Sequence, residues 1–219
     1  MTQYGPVDVI AIDGPSGTGK STVARAVAAE LRWRYLDTGA IYRAVTWAVL
    51  RAGVPAERAV EVARRCPVSI GTEPDTEDVR VDGTHVEAEI RSPEVSAAVS
   101  AVSAGPELRA LLVETQRSLI GGGQIVVEGR DIGTVVVPDA RLKIYLTADA
   151  DVRAGRRARE VGSNPAEVGN AMRTRDGLDS SREASPLRPA LHAVVLDTTA
   201  MTQDEVVAHI LSLARLVVS

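Results

Sequence analysis

The sequence predicts an α/β fold in which a parallel sheet is covered by helices on both faces and carries a small β-rich insert. Three observations predict it. An apolar run at residues 7–12 passes through a glycine-rich turn straight into a helical pattern. Apolar runs of buried-strand type recur in "QIVVEGRD", "LKIYLTA" and "AVVLDTT", with helical stretches between them, as in a parallel sheet buried on both sides. One stretch, "VSIGTEPDTEDVRVDGTHVEAEI" at residues 68–90, instead alternates and holds the hairpin signal Asp82–Gly83, so it reads as antiparallel.

In chain order, residues 7–12 form the first strand. Residues 21–31 form a helix with Val23, Val27, Ala28 and Leu31 on one face. "YLDTGAIYRAVTWAVL" reads as a brief strand at Tyr35 and Leu36, a turn at residues 37–39 and a helix through Leu50. After the β-rich piece, helical segments return to the main sheet. "DVRAGRRARE" at residues 151–160 is a short arginine-dense helix, and the last helix opens on Thr202 and Glu205 at capping-box spacing. The expected division is a core of residues 1–66 and 101–219 with an insert at 67–100.

Composition narrows the function. The 219 residues suit one domain with an insert, and no apolar run approaches the roughly 18 residues that span a bilayer. With no signal-peptide pattern and a single cysteine, Cys66, a cytoplasmic, disulfide-free protein is expected, read as a monomer. A net charge of −4 argues against a general binder of nucleic-acid polymers. Of 25 basic residues only Lys20 and Lys143 are lysines, and Lys20 lies in the glycine-rich turn.

That turn, "GPSGTGKS", spells G-x-x-x-x-G-K-[ST] between a strand and a helix. Successive N–H groups of Gly14, Pro15, Ser16, Gly17, Thr18 and Gly19 (less proline's missing donor), with the helix N-terminus at Lys20, Ser21 and Thr22, form an anion cradle. Lys20 would reach the β- and γ-phosphates of a nucleoside triphosphate and the Ser21 hydroxyl would ligate Mg2+. The guanine-reading N-K-x-D pattern of regulatory GTPases is absent.

Further polar groups stand at strand ends. "DTGAIYR" offers Thr38, Tyr42 and Arg43 for a second phosphate, or else an ordinary helix start. "EGRDIG" places Glu128, Arg130 and Asp131 at the sheet edge where α/β folds bind ligands; a surface ion pair is the plainer alternative. "RDGLDSSR" puts Arg175, Asp179 and Arg182 on one face if helical, as a site or as solvated ion pairs.

Taken together, "IDGPSGTGKST", "LDTGAIYR", "EIRSPEVSAAVS", "EGRDIGTVVVPDA", "KIYLTA" and "RDGLDSSREASPL" resemble, in order and over nearly the whole chain, the bacterial cytidylate kinases. The resemblance implies a P-loop kinase fold whose β-rich insert binds the nucleoside monophosphate, with a mobile helical lid at residues 151–165. It implies that Tyr42, Arg43, Arg130 and Arg182 hold the CMP phosphate, with Thr38 nearby. Ser100, Arg109 and Asp131 would read cytosine, and Arg175 and Asp179 would touch ribose. Arg153, Arg156 and Arg157 of the lid would meet ATP. Lys20, Arg130, Arg153, Arg157 and Arg182 would be the catalytic cations. Thr38 replaces a serine common in the family, Ser21 a glycine of some members, and Glu128 an aspartate of others, while residues 161–174 are short. The expected reaction moves the γ-phosphoryl group of ATP to CMP or dCMP, with a small-metabolite kinase or a non-catalytic nucleotide switch as competing readings.

Overall fold

β1 (Val7–Asp13) is followed by the glycine-rich turn and α1 (Lys20–Leu31). This is a computed structural model, which describes residues 7–182 and 185–217. Glu183 and Ala184, within a segment quoted above for the family resemblance, lie outside the described residues. The predicted first strand and helix are present, each extended by one residue.

β2 (Arg34–Asp37) runs directly into α2 (Thr38–Ala52). The turn expected at residues 37–39 is absent. Asp37 is instead the N-cap, its side chain accepting from the Ala40 N–H at 3.0 Å, so the helix starts at Thr38. Then come α3 (Ala59–Arg65) and the short strands β3 (Val68–Ile70), β4 (Val79–Val81) and β5 (Thr84–His85). The three strands pair antiparallel in that order. Asp82 (φ 50°) and Gly83 (φ 76°) make the left-handed two-residue turn that a hairpin of this length favours. α4 (Pro93–Val102) and α5 (Pro106–Ile120) follow, α4 capped by Ser92 with proline at its first turn.

The chain returns through β6 (Ile125–Gly129), a π-type turn at Ile132–Val136, β7 (Ala140–Thr147), α6 (Ala150–Val161), α7 (Pro165–Ser181), β8 (Val194–Asp197) and α8 (Gln203–Val217). The capping box at α8 is present in both directions: the Thr202 N–H donates to Glu205 at 2.8 Å and the Glu205 N–H to Thr202 Oγ1 at 3.3 Å.

The main sheet has the order β2-β6-β1-β7-β8, with β1 parallel to β6 and β7, and β7 parallel to β8. β6 is buried throughout, whereas β7 alternates, with Ala140, Leu142, Ile144 and Leu146 turned inward. Register pairs Asp13 with Gly129 and with Tyr145, so β1, β6 and β7 end at one edge and release their next residues there. Ile10, Ile12, Val126, Ile144 and Leu146 form the core with Val23 and Val27 of α1 and Ile210 of α8. Each such fully buried chain is worth about 1.5–3 kcal/mol.

Contacts divide the described residues into two compact units. Leu36–Gly121 form one, and the residues before and after them form the other. The Leu36–Gly121 unit packs α2 against α3, α4 and β4 around Ile41, Val45, Val81, Ile90 and Val99.

Candidate active site

The glycine-rich turn follows the buried end of β1, and three of its glycines have backbones that disfavour other residues. Gly14 (φ +147°) would place a Cβ 2.1 Å from the Leu146 carbonyl oxygen, so no side chain fits. Gly17 (φ +74°) would place one 2.8 Å from the Arg153 carbonyl oxygen. Gly19 is the left-handed N-cap of α1. The result is a narrow turn whose Gly17 lies close against the Arg153 backbone and the Met172 side chain.

Lys20 is buried and donates to the Pro15 carbonyl at 2.7 Å, and the Thr18 hydroxyl donates to the same oxygen at 3.1 Å. Burial, and then the Arg130 charge, push its ammonium down to about 7, with Glu128 opposing. Anionic phosphate is the partner that would reverse such a shift. Ser21 and Thr22 are exposed in the first turn of α1.

Beyond β6 a cluster of arginines surrounds one carboxylate. Asp179, only 2% exposed, receives Arg130 Nε at 3.0 Å and the Arg182 guanidinium, with Arg175 Nε at 4.0 Å. Burial raises the Asp179 pKa, but Arg130, Arg182 and Arg175 outweigh it and hold the carboxyl below its usual range. Arg130 also donates to the Gly14 carbonyl, tying this cluster to the phosphate turn. The helical face expected to carry three residues carries two. α7 ends at Ser181, and Arg182 reaches Asp179 from the extended C-cap position.

In the other unit Thr38 is the first residue of α2 and Tyr42 lies one turn on, both buried. The Arg109 guanidinium stands 5.2 Å from the centre of the Tyr42 ring and donates to the Ser103 carbonyl at 3.3 Å. Ser103 Oγ in turn donates to the Ser100 carbonyl, so Tyr42, Ser100 and Arg109 are linked in one cluster. Arg43 donates to Ser96 Oγ at 3.0 Å and to the Ile90 carbonyl at 3.2 Å.

The three arginines of α6 have different partners. Arg153 donates to the Ser16 carbonyl at 3.0 Å and pairs with Asp176. Arg156 donates to Thr198 Oγ1 at 3.0 Å and to the Thr198 carbonyl at 2.7 Å. Arg157 pairs with Glu160 on the same helix.

Sequence reasoning passed over three polar groups. Asp13 accepts from the Ile132 and Gly133 amides, each at 2.8 Å. Asp176 accepts from the Ser16 N–H at 3.3 Å, a carboxylate at an amide of the anion turn. Tyr35 donates to Glu128 at 2.6 Å. Each stands beside a residue that the motifs singled out; what was missing was the partner across the fold.

The sequence pattern of the cytidylate kinase family matches residues 10–216. A cytidylate kinase of Nocardia farcinica is 54% identical over 209 residues, covering 91% of this chain and 90% of that protein. One of Corynebacterium efficiens is 50% identical over 216 residues, covering 94% of each. A solved structure, an uncharacterized protein from Eubacterium ventriosum, aligns with a TM-score of 0.52 at 11% identity over 95% of this chain and 98% of that one, a likeness of fold alone.

Proposed function

The chain belongs to the cytidylate kinase family, and on that premise we propose that it transfers the γ-phosphoryl group of ATP to CMP or dCMP, giving ADP and CDP or dCDP. The observation that carries this reading is Arg130, whose guanidinium bonds both the Gly14 carbonyl of the phosphate turn and the buried Asp179 of the arginine cluster. Two anionic substrates approach each other in this reaction, so cations that adjoin a donor cradle are its first requirement.

On the donor side the amides of Gly14, Ser16, Gly17, Thr18 and Gly19, together with Lys20, Ser21 and Thr22, cradle the ATP phosphates, and Arg153, Arg156 and Arg157 contact ATP from the lid. The glycine backbones that exclude a Cβ, and a lysine whose charge burial disfavours, fit a polyphosphate. The exposed Ser21 hydroxyl would hold Mg2+, most of whose ligands would be phosphate oxygens and water. Bound there, the ion would supply positive charge that offsets the charge of the phosphates.

On the acceptor side Tyr42, Arg43, Arg130 and Arg182 are assigned to the CMP phosphate, and Thr38 with them. Arg175 and Asp179 serve the ribose, and Ser100, Arg109 and Asp131 serve cytosine. The second ionisation of a phosphate monoester lies near 6, so the attacking oxygen is already anionic and needs no general base. Substrates are free nucleotides, ATP with CMP or dCMP. We place the protein in the cytoplasm as a monomer, a reading supported by its lone cysteine and net negative charge; no described helix is long and apolar enough to cross a membrane.

The test is ADP release from MgATP with CMP, dCMP, UMP, shikimate or gluconate offered singly. Turnover is expected with CMP and dCMP. Turnover with a hydroxy acid and none with CMP overturns the reading.

A further inference from the structure

The π-type turn Ile132–Val136 follows Arg130 and Asp131 immediately, and its N-terminal amides need acceptors. Asp131 occupies the N-cap position but makes no capping hydrogen bond there. Asp13, on the neighbouring strand and 119 residues away in sequence, accepts from the first two amides instead. One carboxylate meets two parallel N–H donors with two oxygens, which no neutral side chain of that size provides. Gly133 is closely surrounded: a Cβ there would crowd the Ala190 Cβ at 3.1 Å and Lys143 Cδ at 3.3 Å, and would only touch Asp13 Oδ2 at 3.4 Å.

Asp13 is also covalently joined to Gly14, whose carbonyl accepts from Arg130. The dipeptide Asp13–Gly14 therefore grips the acceptor loop twice, by side chain at residues 132 and 133 and by main chain at Arg130. At 3% exposure the carboxylate has no water to replace these partners.

We propose that Asp13 is a positioning residue of the reaction: it caps the turn directly after Arg130 and Asp131 and so fixes where that loop stands, with Arg130 held against the phosphate cradle. The inference rests on the cytidylate kinase reading and adds to it a residue that touches neither nucleotide. It predicts damage on the acceptor side alone.

The test is Asp13→Asn, whose amide offers one acceptor but turns an N–H toward the second donor. Expected are a fall of about tenfold or more in kcat/KM for CMP, through both a higher KM for CMP and a lower kcat, and a reduced preference for CMP over UMP. ATP binding without CMP should stay within about twofold, and hydrogen exchange at the Ile132 and Gly133 amides should quicken while the β1 amides keep their protection. If Asp13→Asn does not fold, Asp13→Ser, smaller and with one acceptor, should show the same split. Unchanged CMP kinetics and base preference in a folded variant overturn the inference, as does an equal loss of ATP and CMP affinity. Failure of both variants to fold also overturns it, since Asp13 would then serve folding as a whole. A wild-type protein inactive on CMP instead overturns the proposed function, and the exchange measurement still reports whether Asp13 caps the turn.

Discussion

Asp13 is a carboxylate whose burial outweighs the two amides it accepts, Gly133 and then Ile132, so its pKa is pushed up to about 6. Asp131 adds to the rise and Lys20 opposes it. Between about pH 4 and 6 the folded protein therefore holds a proton that the unfolded chain has lost, and stability from this group falls as pH rises through that window. Its size is about 3 kcal/mol. Urea unfolding of wild type and Asp13→Asn at pH 4 and pH 7 should show the stability difference, wild type minus variant, dropping by that order. A difference independent of pH would contradict the raised pKa. A second residue-scale expectation concerns Arg109, packed over Tyr42 and facing the role of donor to cytosine N3. Uracil presents N3–H there, so Arg109→Met should lower kcat/KM for CMP far more than for UMP, by roughly 1–3 kcal/mol of discrimination. Equal losses for both nucleotides would remove Arg109 from base reading.

At the scale of elements, α6 shows how an arginine-dense helix divides its labour. The apolar face is thin, Ala154 and Ala158 being its buried residues, so its arginines do the holding. Arg153 holds the helix to the phosphate turn and Arg156 holds it to the loop after β8, whereas Arg157 meets Glu160 on the exposed surface. Arg156→Ala should cost about 1–3 kcal/mol of stability and raise the KM for ATP, because it empties two short bonds to Thr198. Arg157→Ala should cost less than about 0.5 kcal/mol, an exposed i,i+3 pair, while still raising the KM for ATP. Melting temperatures and ATP titrations of the two variants test the contrast, which equal stability losses would remove.

For the whole molecule the reaction demands a division between donor and acceptor. In the proposed reaction Lys20, which donates to the Pro15 carbonyl of the phosphate turn, would serve the donor. Lys20→Ala should abolish most turnover, with CMP affinity by calorimetry retained within a few fold; a loss of CMP affinity in step with the rate would dissolve that division. Arg130→Ala and Arg182→Ala should show the opposite pattern, with weaker CMP and also lower stability, because each leaves the buried Asp179 carboxylate short of a cation.

Local chemistry was legible without a structure. The strand, glycine turn and helix from Val7 to Leu31, the Asp82–Gly83 hairpin and the Thr202–Glu205 capping box each depend on residues within a few positions of one another, and periodicity and turn preference determine them. The family-specific blocks likewise sit in single runs. The start of α2 was misread because "DTG" carries both turn and N-cap chemistry, and the choice fell to the Ala40 amide accepted by Asp37. What only the tertiary structure decided are the partnerships between distant runs: Asp13 with residues 132 and 133, Ser16 with Asp176, Tyr35 with Glu128, and Arg130 with both Gly14 and Asp179. The physical reason is the parallel sheet. Its crossovers bring strand ends separated by more than a hundred residues to one edge, where a buried carboxylate or guanidinium takes whichever partner the register supplies, and no spacing within a single run encodes that pairing.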